Sequence, residues 1–476
     1  MQRRVCDQCY ARKKKCLIST SATCLRCVQA SLTCTNTRHQ PRSGRPPRSS
    51  HGLPRTAASL VGVWDIATSP EENSNLDPHD DVENFYLHHD IYMLGSTFAP
   101  AFQRALLYCH CHSSNLLDDI ITACGTSLSW ARFGTLPLNK VDVHRGAVSV
   151  RKLRKATITN VHDALAVLML GQALAAFDTL VDCTSTMSIL RYSLEMVRPW
   201  YKEILELEDG VLEPVGVVPV FWDMIWCLVY REVPVIEPRL LEVVTRKGVV
   251  DRVVGVCTEL MPALYELCVV SRELATAGGF DSVDSLSQSQ SKMEMENRCQ
   301  TLSTIERQVQ DWDPGSNTDL SRYTTVEVLS MKTQASMYRT ATLLFIHRLR
   351  LHHSHDRTLA QNLNLTLKQD HETPQILATQ ILDSREHFFT LAGPHAKLQS
   401  TSFPLLLALL ENPTSTEGLW ESSTWLRHKP ACVERLFGFV DEYWRRKRDE
   451  GFEGDVLDAV QWPSTDGRER RPVPLI

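Results

Sequence analysis

Six cysteines fall within the first 34 residues: Cys6, Cys9, Cys16, Cys24, Cys27 and Cys34. They repeat one half-motif, Cys-x2-Cys-x6-Cys, with seven residues between the two copies. So short a stretch cannot bury a sufficient apolar core, so its fold must come from cross-links through these side chains. Thiolates in Cys-x2-Cys pairs grip one zinc from adjacent turns of backbone. Two tetrahedral zinc ions need eight ligand positions, and six thiolates fill eight only if two of them bridge both metals. A compact cluster of two zincs is therefore the natural solution, since a single zinc leaves two cysteines idle. The rival is a disulfide framework of a small secreted domain. The start Met1-Gln2-Arg3-Arg4 has no apolar run behind it, which predicts no secretory leader.

Charge points to the partner. Over the whole chain 51 Lys and Arg face 56 Asp and Glu. Residues 1–50, however, hold 11 basic side chains and one acid, Asp7, which leaves the remainder at a net −15. Two zinc ions and six thiolates together carry −2, so the cysteine-rich module nets about +8. A small basic module on an acidic body is the footprint of a nucleic-acid reader. Arg12, Lys13, Lys14 and Lys15 lie inside the first half-motif, and Asp7 to Lys15 contains no Gly or Pro. The run predicts a short helix anchored to metal and held rigidly against double-stranded DNA. A solvated face or an import signal is the alternative for a lysine run taken alone.

Residues 39–80 predict a tether. Pro41, Pro46, Pro47 and Pro54 bar a helix there. No heptad pattern appears between residues 35 and 80, so no coiled-coil dimer element is expected next to the cysteines. Arg42-Ser43-Gly44-Arg45-Pro46-Pro47-Arg48 partly matches the Gly-Arg-Pro element that lays an arginine into a narrow minor groove. Arg42, Arg45 and Arg48 are thus candidates for minor-groove or phosphate contact.

At the six cysteines and their basic run, the chain resembles the fungal binuclear zinc-cluster (Zn2Cys6) transcription factors. The resemblance covers about the first 35 residues. It implies that Cys6 and Cys24 bridge the metals, that Cys9 and Cys16 complete one zinc, and that Cys27 and Cys34 complete the other. It implies that Lys13 and its backbone neighbourhood read bases, typically a CGG-type triplet, while Arg12, Lys14 and Lys15 grip phosphate. One position departs from the family pattern: Ala22 stands where a proline is usual. Further implications are a nuclear location and control of RNA polymerase II transcription, often of a metabolic or secondary-metabolite gene cluster.

The body, residues 81–448, predicts a large all-α domain. Helical spacing of apolar residues marks Val161–Phe177, Met187–Leu207 with a break at Pro199, Val249–Leu274, Thr325–Leu351, Gln375–Leu391 and Glu434–Arg448. The Gly-, Ser- and Gln-rich stretch Thr276–Lys292 predicts a loop. The apolar run Val215–Tyr230 predicts a buried core helix, and no membrane span is expected. With segments such as Phe221-Trp222-Asp223 and Arg231-Glu232-Val233-Pro234-Val235, the body looks like the fungal-specific transcription factor domain that usually follows the zinc cluster. That resemblance implies a regulatory role, in some members through a small-molecule effector.

Other constellations predict no site. Cys109-His110-Cys111-His112 are consecutive, and neighbours on a helix point about 100° apart, so they cannot close on one ion. His347, His352, His353 and His355 read as a cationic helix end. The remaining body cysteines, Cys124, Cys183, Cys227, Cys257, Cys268, Cys299 and Cys432, read as small reduced core residues. No phosphate-binding loop, His-Glu-x-x-His or nucleophile elbow occurs, so no catalysis is expected. Residues 449–476 form an acidic tail with interleaved Phe452 and Trp462, a candidate activation segment for a coactivator. The competing classes are a zinc-bearing metabolite sensor and a corepressor scaffold, neither reading sequence directly. A homodimer through the helical body is a further expected partner arrangement.

Overall fold

The computed structural model describes residues 92–132, 141–207, 212–237, 248–277, 285–316, 318–354, 372–394, 396–412 and 430–449. All belong to one unit, Arg55–Ile476. Twelve α-helices are found among them: α1 Ala99–Arg132, α2 Val143–Lys155, α3 Val161–Val181, α4 Thr186–Val197, α5 Tyr201–Glu206, α6 Leu212–Tyr230, α7 Met261–Ala277, α8 Ser285–Asp311, α9 Thr325–Ser354, α10 Glu372–Ala392, α11 Ser402–Glu411 and α12 Pro430–Asp449. The sole strand-like feature among the described residues is an isolated bridge between Asp251 and Gly255. The all-α expectation for the body therefore holds there.

One continuous apolar core runs through the helices. Its centre is α3, where 16 of 21 residues are buried. This helix is apolar on every side, so it must be wrapped by others. It packs against α1, α4, α2 and α6. Its length and hydropathy would suffice to cross a membrane, but its burial among these helices accounts for both. The start of α3 is set by Asn160, whose side-chain oxygen accepts the amides of His162 and Asp163 at 2.9 and 3.0 Å. Gly171 allows the close approach of α4: a β-carbon there would lie 2.3 Å from Ser193 Oγ. A second layer packs α9 against α10 and α11, with α8 alongside α7 and α9.

Helix α9 begins with a reciprocal cap. The Thr324 amide donates to Glu327 Oε2 at 2.8 Å, and the Glu327 amide donates to Thr324 Oγ1 at 3.3 Å. The same carboxylate accepts the amide and hydroxyl of Thr97 at 3.0 and 2.7 Å. One glutamate thus starts a long helix and fastens the segment leading into α1.

Three expectations are corrected. Val249–Leu274 is not one helix. The Asp251 carboxylate accepts the amides of Val253 and Val254 at 2.7 and 3.0 Å, and Gly255 turns the chain with φ 55°. That turn is followed by a 3-10 segment, Val256–Leu260, before α7 begins. Thr276–Lys292 is not all loop, because α8 already starts at Ser285. Third, Cys183 and Cys432 are joined as a disulfide with Cα atoms 5.6 Å apart. They are not two separate thiols. The bond links the turn after α3 to α12 across 249 residues, a proximity invisible in the sequence. Arg435 supports the same junction, donating to Asp182 Oδ1 at 3.0 Å and to the Cys183 carbonyl at 3.3 Å. The oxidised full chain should therefore show two fewer alkylatable thiols than the reduced chain. Reduction, or Cys432→Ser, should lower stability by about 2–4 kcal/mol. Equal thiol counts in both states would contradict the link.

Candidate functional site

The residues expected to bind metal, Cys6, Cys9, Cys16, Cys24, Cys27 and Cys34, lie outside the described residues. So do the expected DNA contacts Arg12, Lys13, Lys14, Lys15, Arg42, Arg45 and Arg48, and the tail beyond Asp449. The six-cysteine donor set suits zinc by its chemistry, since paired soft thiolates are zinc's preferred ligands. Among the described residues no group of three or more metal-ligating side chains converges. The segment Cys109-His110-Cys111-His112 divides its side chains between core and surface. It sits in α1 just before a kink at Ser113, where a Ser-Ser pair interrupts the helical dihedrals. Cys109 is buried, His110 pairs with Asp118 at 2.7 Å, and His112 stacks on His162 with ring centres 4.9 Å apart.

The described body is organised by a buried polar cluster. The two segments Phe221-Trp222-Asp223 and Arg231-Glu232-Val233-Pro234-Val235 meet around Arg191 of α4. Arg191 Nη1 donates to Asp223 Oδ1 at 2.7 Å, and Nη2 donates to the Val233 carbonyl at 3.3 Å. Asp223 Oδ2 accepts the Val235 amide at 2.7 Å. Glu232 lies 3.5 Å from Arg191, and the guanidinium sits 4.7 Å from the centre of the Trp226 ring. One ion pair thus fixes α4, α6 and the chain leaving α6. Burial pushes the Asp223 carboxyl up to about 6, and the Arg191 charge and the Val235 amide pull it back.

A second buried acid, Asp178, closes α3 onto α4. Its Oδ2 accepts the Ser185 amide at 3.0 Å and the Thr186 hydroxyl at 2.5 Å, while Oδ1 has no partner. Burial pushes Asp178 up to about 6 against these hydrogen bonds. A raised folded-state value means that the neutral acid favours the fold. That stabilisation is complete below the unfolded value near 4 and is lost as pH rises through about 6. Stability of the wild type relative to Asp178→Asn should therefore fall by about 1–3 kcal/mol between pH 4 and pH 7. Denaturant titrations at the two pH values check this, and an unchanged or opposite difference contradicts it.

Helix α9 carries a row of buried polar side chains spaced four apart. Ser330 donates to the Lys397 carbonyl at 2.6 Å, and Tyr338 donates to the Ser400 carbonyl at 2.6 Å. Between them Gln334 Nε2 reaches two carbonyls, Val253 at 2.8 Å and Gln399 at 2.6 Å. These bonds hold two irregular segments side by side, satisfying backbone groups that no helix can. Neither this row nor Arg191 was singled out from sequence. The available signal was a charged or amide side chain at a core-facing position, as in Ile189-Leu190-Arg191 and in Gln334 of α9.

The family model for the fungal specific transcription factor domain matches residues 220–464. This span takes in both segments gathered around Arg191, the α9 row and α12. Among curated proteins and among solved structures, nothing matches this chain. The match extends over more than half of the chain, so the protein belongs to the fungal specific transcription factor domain family and is a transcription regulator.

Proposed function

We propose that this regulator acts in the nucleus as a sequence-specific DNA-binding protein with a binuclear zinc cluster at residues 6–34. The observation that carries the proposal is the doubled Cys-x2-Cys-x6-Cys motif, with a basic run inside its first half, in a chain whose body is a transcription factor domain. Zinc fits these cysteines better than disulfides because two Cys-x2-Cys-x6-Cys units supply the ligand count of two tetrahedral zinc ions that share two thiolates. Cys6, Cys9, Cys16, Cys24, Cys27 and Cys34 would hold two Zn²⁺, whose contribution is to fold a chain too short to fold alone. The residues around them do the reading. Lys13 donates to base edges in the major groove of a CGG-type triplet. Arg12, Lys14 and Lys15 grip phosphate and set the register. Arg42, Arg45 and Arg48 add phosphate or minor-groove contact from the tether. The acidic tail 449–476 would recruit a coactivator, which makes the protein an activator. Dimerisation would run through the helical body, because the tether lacks heptads. Pairing across such a tether permits variable half-site spacing.

Lys13→Ala should cost about 1–3 kcal/mol on the preferred site and relax sequence choice. Lys15→Ala should weaken all duplexes alike and reduce the salt slope by about one. Titrations of the full chain against specific and random duplexes at several salt concentrations separate the two. If both variants lower specific and random binding equally, Lys13 does not read bases.

A further inference from the structure

Helix α2 departs from the charge of the body that holds it. Five of its 13 residues are Lys or Arg and none is acidic, while the chain beyond residue 50 nets −15. Part of this charge lines an open groove of ≈ 570 Å³ between the kink of α1, helix α2 and the start of α3. Arg151, Lys152 and Lys155 line it with charge, and Leu116, Val148 and Val167 line it with apolar surface.

Neighbouring carboxylates neutralise only part of this charge. Lys152 pairs with Asp119 at 2.7 Å and donates to the Asn115 carbonyl. Arg145 pairs with Asp142 at 3.3 Å, at the start of α2. Asp163 is the one acid lining the groove among the described residues. It is engaged in the cap of α3, accepting the amide and hydroxyl of Thr159 at 3.0 and 2.6 Å. The exposed side chains of Arg151 and Lys155 make no ion pair or hydrogen bond among the described residues. Four apart on one helix, they stand on the same face. Two uncompensated cations beside an apolar floor suit an acidic peptide with apolar residues among its acids. Duplex DNA fits less well, because phosphates leave the floor uncovered and must approach an acidic body.

We propose that this groove holds the chain's own residues 71–83, with carboxylates on Arg151 and Lys155 and with Leu76 and Val82 on the apolar floor. That segment carries six acids, Glu71, Glu72, Asp77, Asp80, Asp81 and Glu83, and no Lys or Arg. The tail 449–476 fits less well, since Arg468, Arg470 and Arg471 offset its acids. The reach is sufficient. Tyr92, where the described chain begins, lines a small cavity with Thr179 near the end of α3, whereas Asp163 lies near the start of that helix and lines the groove. Those two positions on α3 are about 24 Å apart. The stretch from Glu83 to Tyr92 spans up to about 30 Å. So short a connection gives a high effective concentration, so contacts too weak to hold a free peptide can hold this one. Docking leaves residues 39–70 as the free tether and narrows the half-site spacings that a DNA-reading arm can reach. The docking itself draws on neither zinc nor DNA, so its failure would leave the DNA-reading proposal standing.

Digestion of the full chain by a glutamate-specific protease tests the proposal. At low salt, the double variant Arg151→Glu, Lys155→Glu should be cut at Glu71, Glu72 and Glu83 at least fivefold faster than the wild type. The triple variant Asp77→Lys, Asp80→Lys, Asp81→Lys should show the same loss of protection. It leaves α2 untouched, so the test stays decisive if the α2 variant does not fold. Combining the two sets reverses both partners and should restore protection to within about twofold of the wild type. In 1 M salt, where charges are screened beyond about 3 Å, the wild type and the variants should be cut alike. Equal cutting of the wild type and the triple variant at low salt, or no recovery in the combined variant, overturns the proposal. So does faster cutting only at Glu450 and Glu453 in the α2 variant, which assigns the groove to the tail. Weaker random-duplex binding by the α2 variant with unchanged cutting also overturns it and assigns the groove to DNA phosphate.

Discussion

Replacing Cys24 with alanine should abolish sequence-specific duplex binding while the helical body stays folded. The expected loss is about 10³-fold or more, down to the level of non-specific attraction. The reason is stoichiometric. Six thiolates can satisfy two tetrahedral ions only when two are shared, and the resemblance to zinc-cluster proteins makes Cys24 one of the shared pair. Its removal takes a ligand from both metals, so it should be as damaging as Cys6→Ala. Metal binding supplies the folding free energy of so short a module, so losing both sites unfolds the helix that carries Lys13. The body has its own apolar core, and its melting should not change. Measured affinities on specific and random duplexes check this. A Cys24→Ala protein that still discriminates between them contradicts the bridging role.

Asp223→Ala should destabilise the body by about 3–5 kcal/mol. Asp223 is completely buried, and its carboxylate is the main counter-charge for Arg191, itself 7% exposed. Truncation leaves a guanidinium inside the core, facing only a half-exposed Glu232. It also leaves the Val235 amide without its acceptor. The double variant Arg191→Met, Asp223→Leu should recover much of this loss, because apolar groups of similar volume can replace a buried pair at little cost. Unfolding of the two single variants and the double variant forms the cycle. A cost below about 1 kcal/mol for Asp223→Ala would show that the pair does not organise the body. Residues 221–223 and 231–235 meet at this pair, so the variant should also weaken regulation of a reporter gene.

Much of the body was legible because its helices keep a 3.6-residue period. The break at Pro199 appears as the 3-10 segment Arg198–Trp200 between α4 and α5. Helix α1 shows the same spacing in Phe102, Ala105, Leu106 and Cys109, and again in Leu117, Ile120, Ile121 and Cys124. The polar run His112-Ser113-Ser114-Asn115 at its kink interrupts that spacing and hides the helix in the sequence. Where sequence reading failed, a local bond overrode the period. The apolar residues Val249, Val250, Val253 and Val254 fit a helix, but the Asp251 side chain captures the amides a helix would need. Ser and Gln made residues 285–292 read as loop, whereas α8 is stabilised by packing on α7 and α9. Arg191 and Gln334 were not legible as sites, because their partners lie 32 to 81 residues away in the chain. The disulfide was hidden for the same reason. The expected zinc ligands were the reverse: their spacing is local, and every residue needed falls within 29 positions.

Residues 6–34 should hold two metal ions and not a set of disulfides. The zinc content of the purified full chain tests it most directly. Two zinc ions per chain, lost on chelation together with specific duplex binding, is the predicted result. One zinc per chain, none, or specific binding that survives complete removal of metal would contradict it.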